Sequence, residues 1–155
     1  MQRRYIKKQV VQNLHKDKKK VEGLREEAQL KFSGGPITQA KLTKDWLVER
    51  YLFGYLDQVE VLESEVQGIF NLSKSDEAII EDYEHFLAEQ KQVYVDYRGN
   101  EKTELPLSHL KKYLEGRLDC INTHKKILAE LKDGREFQQL HLFPLEQIEV
   151  VYTSH

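Results

Sequence analysis

The strongest constraint on the fold is an unbroken helical pattern over residues 3–32. Apolar residues recur there in steps of three, four or seven, at Ile6, Val10, Leu14, Val21, Leu24 and Ala28. Such steps keep the apolar side chains in one stripe along an α-helix. The helix is predicted to end at Ser33-Gly34-Gly35-Pro36, because glycine frees the backbone and proline cannot continue the hydrogen-bond ladder. Residues 33–43 are then a connector.

Two further helices are predicted before residue 92. Thr43 is the expected N-cap of the second, whose stripe is Leu52, Leu56, Val59, Leu62, Val66 and Ile69. Its first half is apolar nearly all round, because it also carries Trp46, Tyr51, Phe53 and Tyr55. The simpler interpretation puts this half at the centre of the core; an exposed partner-binding patch is the alternative. Ser73 or Ser75 caps the third helix, which carries Ile79, Ile80, Tyr83, Phe86 and Leu87.

The pattern changes after Gln92. Val93-Tyr94-Val95-Asp96-Tyr97 is rich in β-branched and aromatic residues, and the turn signal Arg98-Gly99-Asn100 separates it from residues 102–107. Strand, turn and strand are expected. Residues 108–131 fit either one helix that starts at Ser108 or a hairpin with its turn at residues 122–126, and periodicity alone does not decide. The segments 137–143 and 148–152 are expected to be extended.

These elements predict an α+β protein, with a helical hairpin or bundle followed by a small strand-rich, barrel-like part. The domains are residues 1–91 and 92–155, or one continuous domain, since 155 residues suffice for one ordinary domain or two very small ones. The alternative fold is an all-α bundle with a short C-terminal extended tail.

Composition limits the environment and the partners. Hydrophobic residues make up 39% and charged residues 32%, a mixture typical of helix-rich soluble proteins. The single cysteine, Cys120, cannot form an internal disulfide, so a reducing compartment is the simplest interpretation. No apolar run is long enough to span a bilayer and the N-terminus lacks the apolar region of a signal peptide. The cytoplasm is therefore predicted, without a membrane role.

Charge is unevenly distributed along the chain. Residues 1–20 carry eight bases against the single acid Asp17, whereas residues 57–90 carry ten acids against the single base Lys74. One interpretation is a phosphate-binding helix, with contacts from Arg3, Arg4, Lys7, Lys8, Lys18, Lys19 and Lys20. The simpler interpretation is that the basic helix lies beside the acidic helices in one bundle and needs no outside partner. Contact with nucleic acid is left open, since the net charge of −2 supplies no attractive field.

Several features after Ser75 follow one another in a recognisable order. They are Gln90-Lys91-Gln92, the predicted strand at 93–97, Gly116-Arg117-Leu118-Asp119-Cys120-Ile121-Asn122, Ile127, Asp133-Gly134 and Pro144-Leu145-Glu146-Gln147-Ile148. Residues 75–151 thereby resemble the small bacterial YolD-like family. The resemblance covers about half of the chain and none of residues 1–70. It implies helices followed by a small strand-rich domain, and a partner of error-prone DNA polymerases in the damage response.

A short motif lies near the C-terminus. Gln139-Leu140-His141-Leu142-Phe143 resembles the pentapeptide by which many bacterial proteins dock on the replicative sliding clamp. In an extended docking peptide, Leu142 and Phe143 would enter an apolar pocket while the Gln139 amide binds the rim. The predicted protein-binding residues are Gln139, Leu140, Leu142 and Phe143. The structural alternative is that these residues are core positions of a strand, where no clamp could reach them.

No catalytic or metal-binding motif is visible. The six histidines, His15, His85, His109, His124, His141 and His155, include no i,i+4 pair, and Cys120 has no nearby histidine in sequence. No metal, cofactor or enzymatic activity is therefore predicted. A buried, mutually hydrogen-bonded trio among the histidines and acids would revive the enzyme hypothesis.

The sequence thus predicts a non-enzymatic accessory protein of bacterial DNA repair or replication. Its partner would be the sliding clamp or a translesion polymerase. The alternative is a helical protein-interaction or regulatory module without a DNA role, from a phage or mobile element and self-associating through the aromatic face of residues 46–56.

Overall fold

Four α-helices make up the described part of the chain. The computed structural model describes residues 3–33, 39–70, 75–98 and 107–133. The helices are α1 (Arg3–Ser33), α2 (Gln39–Phe70), α3 (Asp76–Arg98) and α4 (Leu107–Lys132). Ser75 and Asp133 are the only described residues outside them. Over these ranges the protein is all-α.

The helix predicted for residues 3–32 is confirmed as α1, and its apolar stripe is buried except at Leu24, which is half-buried. α2 begins at Gln39, so the prediction that Thr43 caps it is wrong: Thr43 lies one turn inside the helix. The predicted cap at Ser75 is confirmed. Its Oγ accepts a hydrogen bond from the Ala78 N–H at 3.2 Å, which satisfies one of the amide groups that the first turn leaves without a helical partner.

The prediction of a strand-rich C-terminal part is wrong for the residues that the structure describes. Val93–Tyr97 continues α3 to Arg98, and residues 108–131 form a helix within α4 and no hairpin. β-branched and aromatic residues cost a helix only a few tenths of a kcal/mol each, so a helix already formed over residues 76–92 extends through them. The all-α alternative fits these residues. The predicted extended segments 137–143 and 148–152 lie outside the described residues.

One apolar core joins all four helices. It includes Val10 and Leu14 of α1, Val59 and Leu62 of α2, and residues of α3 and α4 such as Leu87 and Ile121. The boundary predicted between residues 91 and 92 falls inside α3. No helix among the described residues is both long and apolar enough to cross a membrane.

α2 and α4 cross at two glycines. A Cβ built on Gly54 would lie 2.0 Å from the carbonyl oxygen of Tyr113, and one on Gly116 would lie 2.1 Å from that of Tyr51. Both neighbours are backbone atoms, so neither can rotate away. The absence of side chains at these two positions lets the helices meet backbone to backbone. This close contact fixes where along α2 the polar groups of α4 lie.

Candidate functional site

A buried polar trio lies at the junction of α1, α2 and α4. The Tyr55 hydroxyl donates to Asp17 Oδ2 at 2.7 Å, and His124 Nε2 lies 2.7 Å from the same oxygen. Asp17 and Tyr55 are 0% exposed and His124 is 3% exposed. Because a carboxylate only accepts hydrogen bonds, Nε2 is the ring nitrogen that carries the hydrogen here. The trio therefore ties three helices together through one oxygen atom.

Burial keeps two groups at this junction, the Tyr55 hydroxyl and the Cys120 thiol, in their neutral forms. Burial raises the pKa of the Tyr55 hydroxyl well above its ordinary value, and the Asp17 carboxylate adds to that shift. Burial likewise raises the pKa of Cys120, with a further rise from Asp17. A thiol that keeps its proton is a poor nucleophile and a poor metal ligand, which agrees with the complete burial of Cys120 in the core.

The sequence contains a signal for the trio that the prediction missed. The apolar stripe of α1 steps seven residues from Leu14 to Val21, and Asp17 fills the gap. The stripe of α4 also steps seven residues, from Ile121 to Leu128, and His124 fills that gap. A polar residue at the empty step of a buried stripe points into the core. Two such positions of complementary chemistry are a sign that they meet.

A second polar network joins α2, α3 and α4 beside the glycine crossing. Arg117 donates from Nε to Gln58 Oε1 at 3.1 Å and from Nη1 to the Tyr113 hydroxyl at 2.6 Å. Tyr113 donates in turn to Asp57 Oδ2 at 2.6 Å, and Gln58 donates to Gln90 of α3 at 3.2 Å. The buried amide of Gln58 is thus satisfied on both sides.

The aromatic face of residues 46–56 is mostly core, as the simpler interpretation predicts. Tyr51 and Tyr55 are 1% and 0% exposed. Phe53 is half-buried, and the guanidinium groups of Arg25 and Arg50 lie 4.5 and 4.7 Å from its ring centroid. Both arginines also pair with the buried carboxylate of Glu49, at 3.1 and 2.6 Å. This face therefore does not present the open aromatic patch that self-association would use.

A solvent-open hollow lies between α1 and the last turns of α2. We name it the Val11 hollow; its volume is about 340 Å³ and it is lined by Val11, Leu14, His15, Glu63, Val66, Gln67 and Phe70. Leu14 and Val66 are buried, whereas Val11 is 48% exposed. Lys7 stands over the Phe70 ring at 5.7 Å from its centroid. The hollow is therefore an apolar depression with charged groups at its edge.

A second depression lies between α3 and the end of α4, with a volume of about 410 Å³. Leu87 and Leu128 are buried beneath it, and the exposed alanines Ala88 and Ala129 line it. Its rim is bridged by an ion pair between Lys132 and Glu84. No exposed large hydrophobic side chain lines this depression.

The structure places the predicted phosphate-binding residues in different surroundings. Lys18 pairs with Glu63 of α2 at 3.4 Å, as expected if the basic helix lies beside an acidic one. Lys8 and Lys19 are exposed and Lys20 is half-buried. Arg3 and Arg4 lie in the first turn of α1. Whether any of these residues contacts phosphate stays a prediction.

The clamp-docking peptide Gln139–Phe143 lies outside the described residues, and its role stays a prediction. No protein-family model, curated protein or solved structure matches the chain. Two segments quoted for the YolD-like resemblance, residues 93–97 and 116–122, are helical, so the resemblance supports none of the proposals that follow. Within the described ranges, no three His, Cys, Asp or Glu side chains are placed to hold a metal ion.

Proposed function

We propose that the protein is a non-catalytic helical binding module that docks a segment of a partner protein in the Val11 hollow. The observation that carries the proposal is a half-exposed valine at the edge of an open apolar depression. A volume of about 340 Å³ is at the small end of the range for ligand pockets. One bulky aliphatic or aromatic side chain of a partner would fill much of it and act as the anchor of the interface.

The position of the buried trio argues against a catalytic role for it. Its hydrogen-bonded arrangement meets the criterion that would revive the enzyme hypothesis, but its position does not favour that hypothesis. A catalytic group must come within hydrogen-bond reach of its substrate, whereas Asp17 and Tyr55 have no exposed surface. The residues that line the two depressions do not include Asp17, Tyr55 or His124. The trio is best explained as a structural tie between helices.

The size of the hollow sets the expected strength of binding. On α1 the hollow is lined by Val11, Leu14 and His15, a stretch of about 6 Å, since a helix rises about 1.5 Å per residue. An interface of this length buries less area than a stable complex of two folded proteins. We therefore expect dissociation constants in the micromolar range, typical of a transient contact.

A peptide-display selection tests the proposal. A library of random 16-residue peptides is selected against the wild-type protein, and each selected peptide is assayed against Val11→Arg and Val93→Arg by fluorescence anisotropy. Val93 is a matched control, because it is 55% exposed on α3 and lines neither depression. We expect peptides whose affinity falls at least tenfold on Val11→Arg and less than twofold on Val93→Arg.

The proposal fails if the selection yields no peptide sensitive to the Val11 substitution. It also fails if the selected peptides respond equally to the two arginine variants, because a general loss of binding would then explain the result. Both substitutions are at exposed positions, so circular dichroism should show equal helix content and thermal stability for the two variants.

A further inference from the structure

We infer that the partner segment is acidic, with carboxylates placed on either side of its apolar anchor; this inference rests on the proposed docking in the Val11 hollow. Between residues 7 and 20, α1 carries six lysines, of which Lys8, Lys16 and Lys19 are exposed, and the only acid of that stretch, Asp17, is turned into the core. The exposed charge of this half of the helix is therefore entirely positive. A surface of one sign favours a partner of the opposite sign.

The cations and the hollow lie on one line. Lys8, Val11, His15 and Lys19 are separated by three, four and four residues, and all four are exposed. Residues at these spacings are neighbours on one helix face. Val11 and His15 line the hollow, so Lys8 lies one turn before it and Lys19 one turn after it. A docked apolar side chain would have an ammonium group about one helical turn away on each side.

These lysines are not used inside the protein. Within the described ranges, no acidic side chain pairs with Lys8, Lys16 or Lys19, in contrast to Lys18, which reaches Glu63. Lys16 also has like-charged neighbours at i+3 and i+4, Lys19 and Lys20. Like charges at these spacings repel each other and destabilise a helix. Among the described residues, Lys8, Lys16 and Lys19 therefore form no ion pair that would stabilise the fold.

The α2 side of the hollow fixes how the partner would be oriented. Glu63 lines that side but is paired with Lys18, and Glu60 is exposed one turn before it. Carboxylates of the partner would be repelled by Glu60 and attracted by Lys8 and Lys19. The acidic residues of the segment should therefore face α1, while its α2-facing side is neutral or basic.

A protein segment explains this surface better than nucleic acid does. The net charge of −2 gives no long-range attraction for a polyanion. The line of cations is interrupted by an apolar residue that borders an apolar hollow, which suits a hydrophobic side chain and not a phosphate. The exposed residues of this line are two lysines, a valine and a histidine, so none of them is a Trp, Tyr or Phe that would offer a base a large stacking surface.

The experiment uses the 16-residue peptides that depend on Val11. Each is resynthesised in two further forms: in one every Asp and Glu is replaced by Gln, and in the other by Lys. The original and both new forms are assayed against wild type, against Lys8→Glu/Lys19→Glu and against the control Lys111→Glu/Lys126→Glu. The control reverses two lysines that are exposed on α4. We expect the original peptides to be rich in Asp and Glu, and to bind the Lys8/Lys19 variant at least tenfold more weakly but the control within twofold.

Charge exchange gives the sharpest readout. The Lys form of a peptide should bind the Lys8→Glu/Lys19→Glu variant more tightly than it binds wild type. The affinity of the original peptide for wild type should fall about tenfold between 50 and 500 mM NaCl, as expected for contacts between exposed charges. If the Gln forms bind as well as the originals, the partner need not be acidic and the inference fails while the proposed docking stands. If no peptide depends on Val11, both fail.

A labelled 30-base-pair DNA duplex is assayed in parallel. Duplex binding that is lost in Lys8→Glu/Lys19→Glu and retained in Val11→Arg would assign the lysines to nucleic acid and overturn the inference. Absence of duplex binding at the peptide's dissociation constant supports it.

Discussion

The inward and outward faces of α1 use charge in opposite ways. Lys16 and Asp17 are adjacent in sequence, yet Lys16 is exposed and without a partner among the described residues, whereas Asp17 is fully buried and shared by Tyr55 and His124. The buried carboxylate determines how three helices fit together. The exposed lysine contributes nothing to that fit. On one helix, position relative to the apolar stripe decides whether a charged group holds the fold or is available to a partner.

The largest expected effect comes from removing the buried charge. Asp17→Ala leaves the Tyr55 hydroxyl and His124 Nε2 buried without their common acceptor, and we expect the free energy of unfolding to fall by about 4 kcal/mol. Lys16→Ala should change it by less than about 0.5 kcal/mol. Urea denaturation followed by circular dichroism measures both.

Asp17→Asn sharpens the same comparison. The amide keeps an acceptor for the Tyr55 hydroxyl but loses the charge, so its effect should lie between those of the two alanine variants. Equal losses for Asp17→Ala and Lys16→Ala would contradict the structural role of the trio.

The next largest effect should come from the glycine crossing. Gly116→Ala places a methyl group against the backbone of Tyr51 and Tyr55, and we expect a loss of about 3 kcal/mol, because neither helix can move without unpacking the core. Gly23→Ala is the matched control on the outer face of α1, where a Cβ meets nothing within 4 Å. It should stabilise the protein by about 0.5–1 kcal/mol, the helix preference of alanine over glycine. A neutral Gly116→Ala would show that the two backbones are not in contact.

A smaller effect distinguishes buried from exposed groups at alkaline pH. Burial raises the pKa of the Tyr83 hydroxyl above its ordinary value of 10.0. Above pH 10 the unfolded chain releases this proton and the folded chain keeps it, so the unfolded state binds fewer protons and stability falls as pH rises. The contribution of Tyr83 is fully present below pH 10 and decreases by about 1.4 kcal/mol per pH unit towards its folded pKa.

Tyr83→Phe isolates that contribution. Its free energy of unfolding should decline less steeply than that of wild type, by about 1.4 kcal/mol per pH unit between pH 10.5 and 11.5. At pH 7 the substitution should be neutral or slightly stabilising, since the hydroxyl has no hydrogen-bond partner among the described residues. Parallel curves for the two proteins would mean that Tyr83 is ionised as readily in the folded state as in the unfolded one.

The apolar stripes were sufficient to predict α1 and most of α2, because side chains at a period of 3.6 leave no other arrangement for so long a run. The prediction of a strand at the end of α3 is wrong because the residues at 93–97 favour strands only where a neighbouring strand exists to pack against. For α4 the helix was one of two open interpretations. Burial of Cys120, Ile121 and Leu131 agrees with helical spacing.

The candidate site was harder to predict, for two physical reasons. The lining of the Val11 hollow comes from α1 and from the end of α2, so it exists only after the two helices pack. The lysines around it were recognised as a basic segment, but sequence alone did not separate Lys18, which pairs across the bundle, from Lys8 and Lys19, which do not. That division depends on which side of α1 faces Glu63.

The bare crossing of α2 and α4 also limits how this bundle can change. A hydrogen bond weakens steeply once donor and acceptor separate by a few tenths of an ångström beyond about 3.2 Å, while a methyl group at Gly54 or Gly116 would wedge the helices apart by more than that. Arg117 would then lose Gln58, and Tyr113 would lose Asp57. Two positions without a side chain therefore keep these polar links between the second and fourth helices within reach.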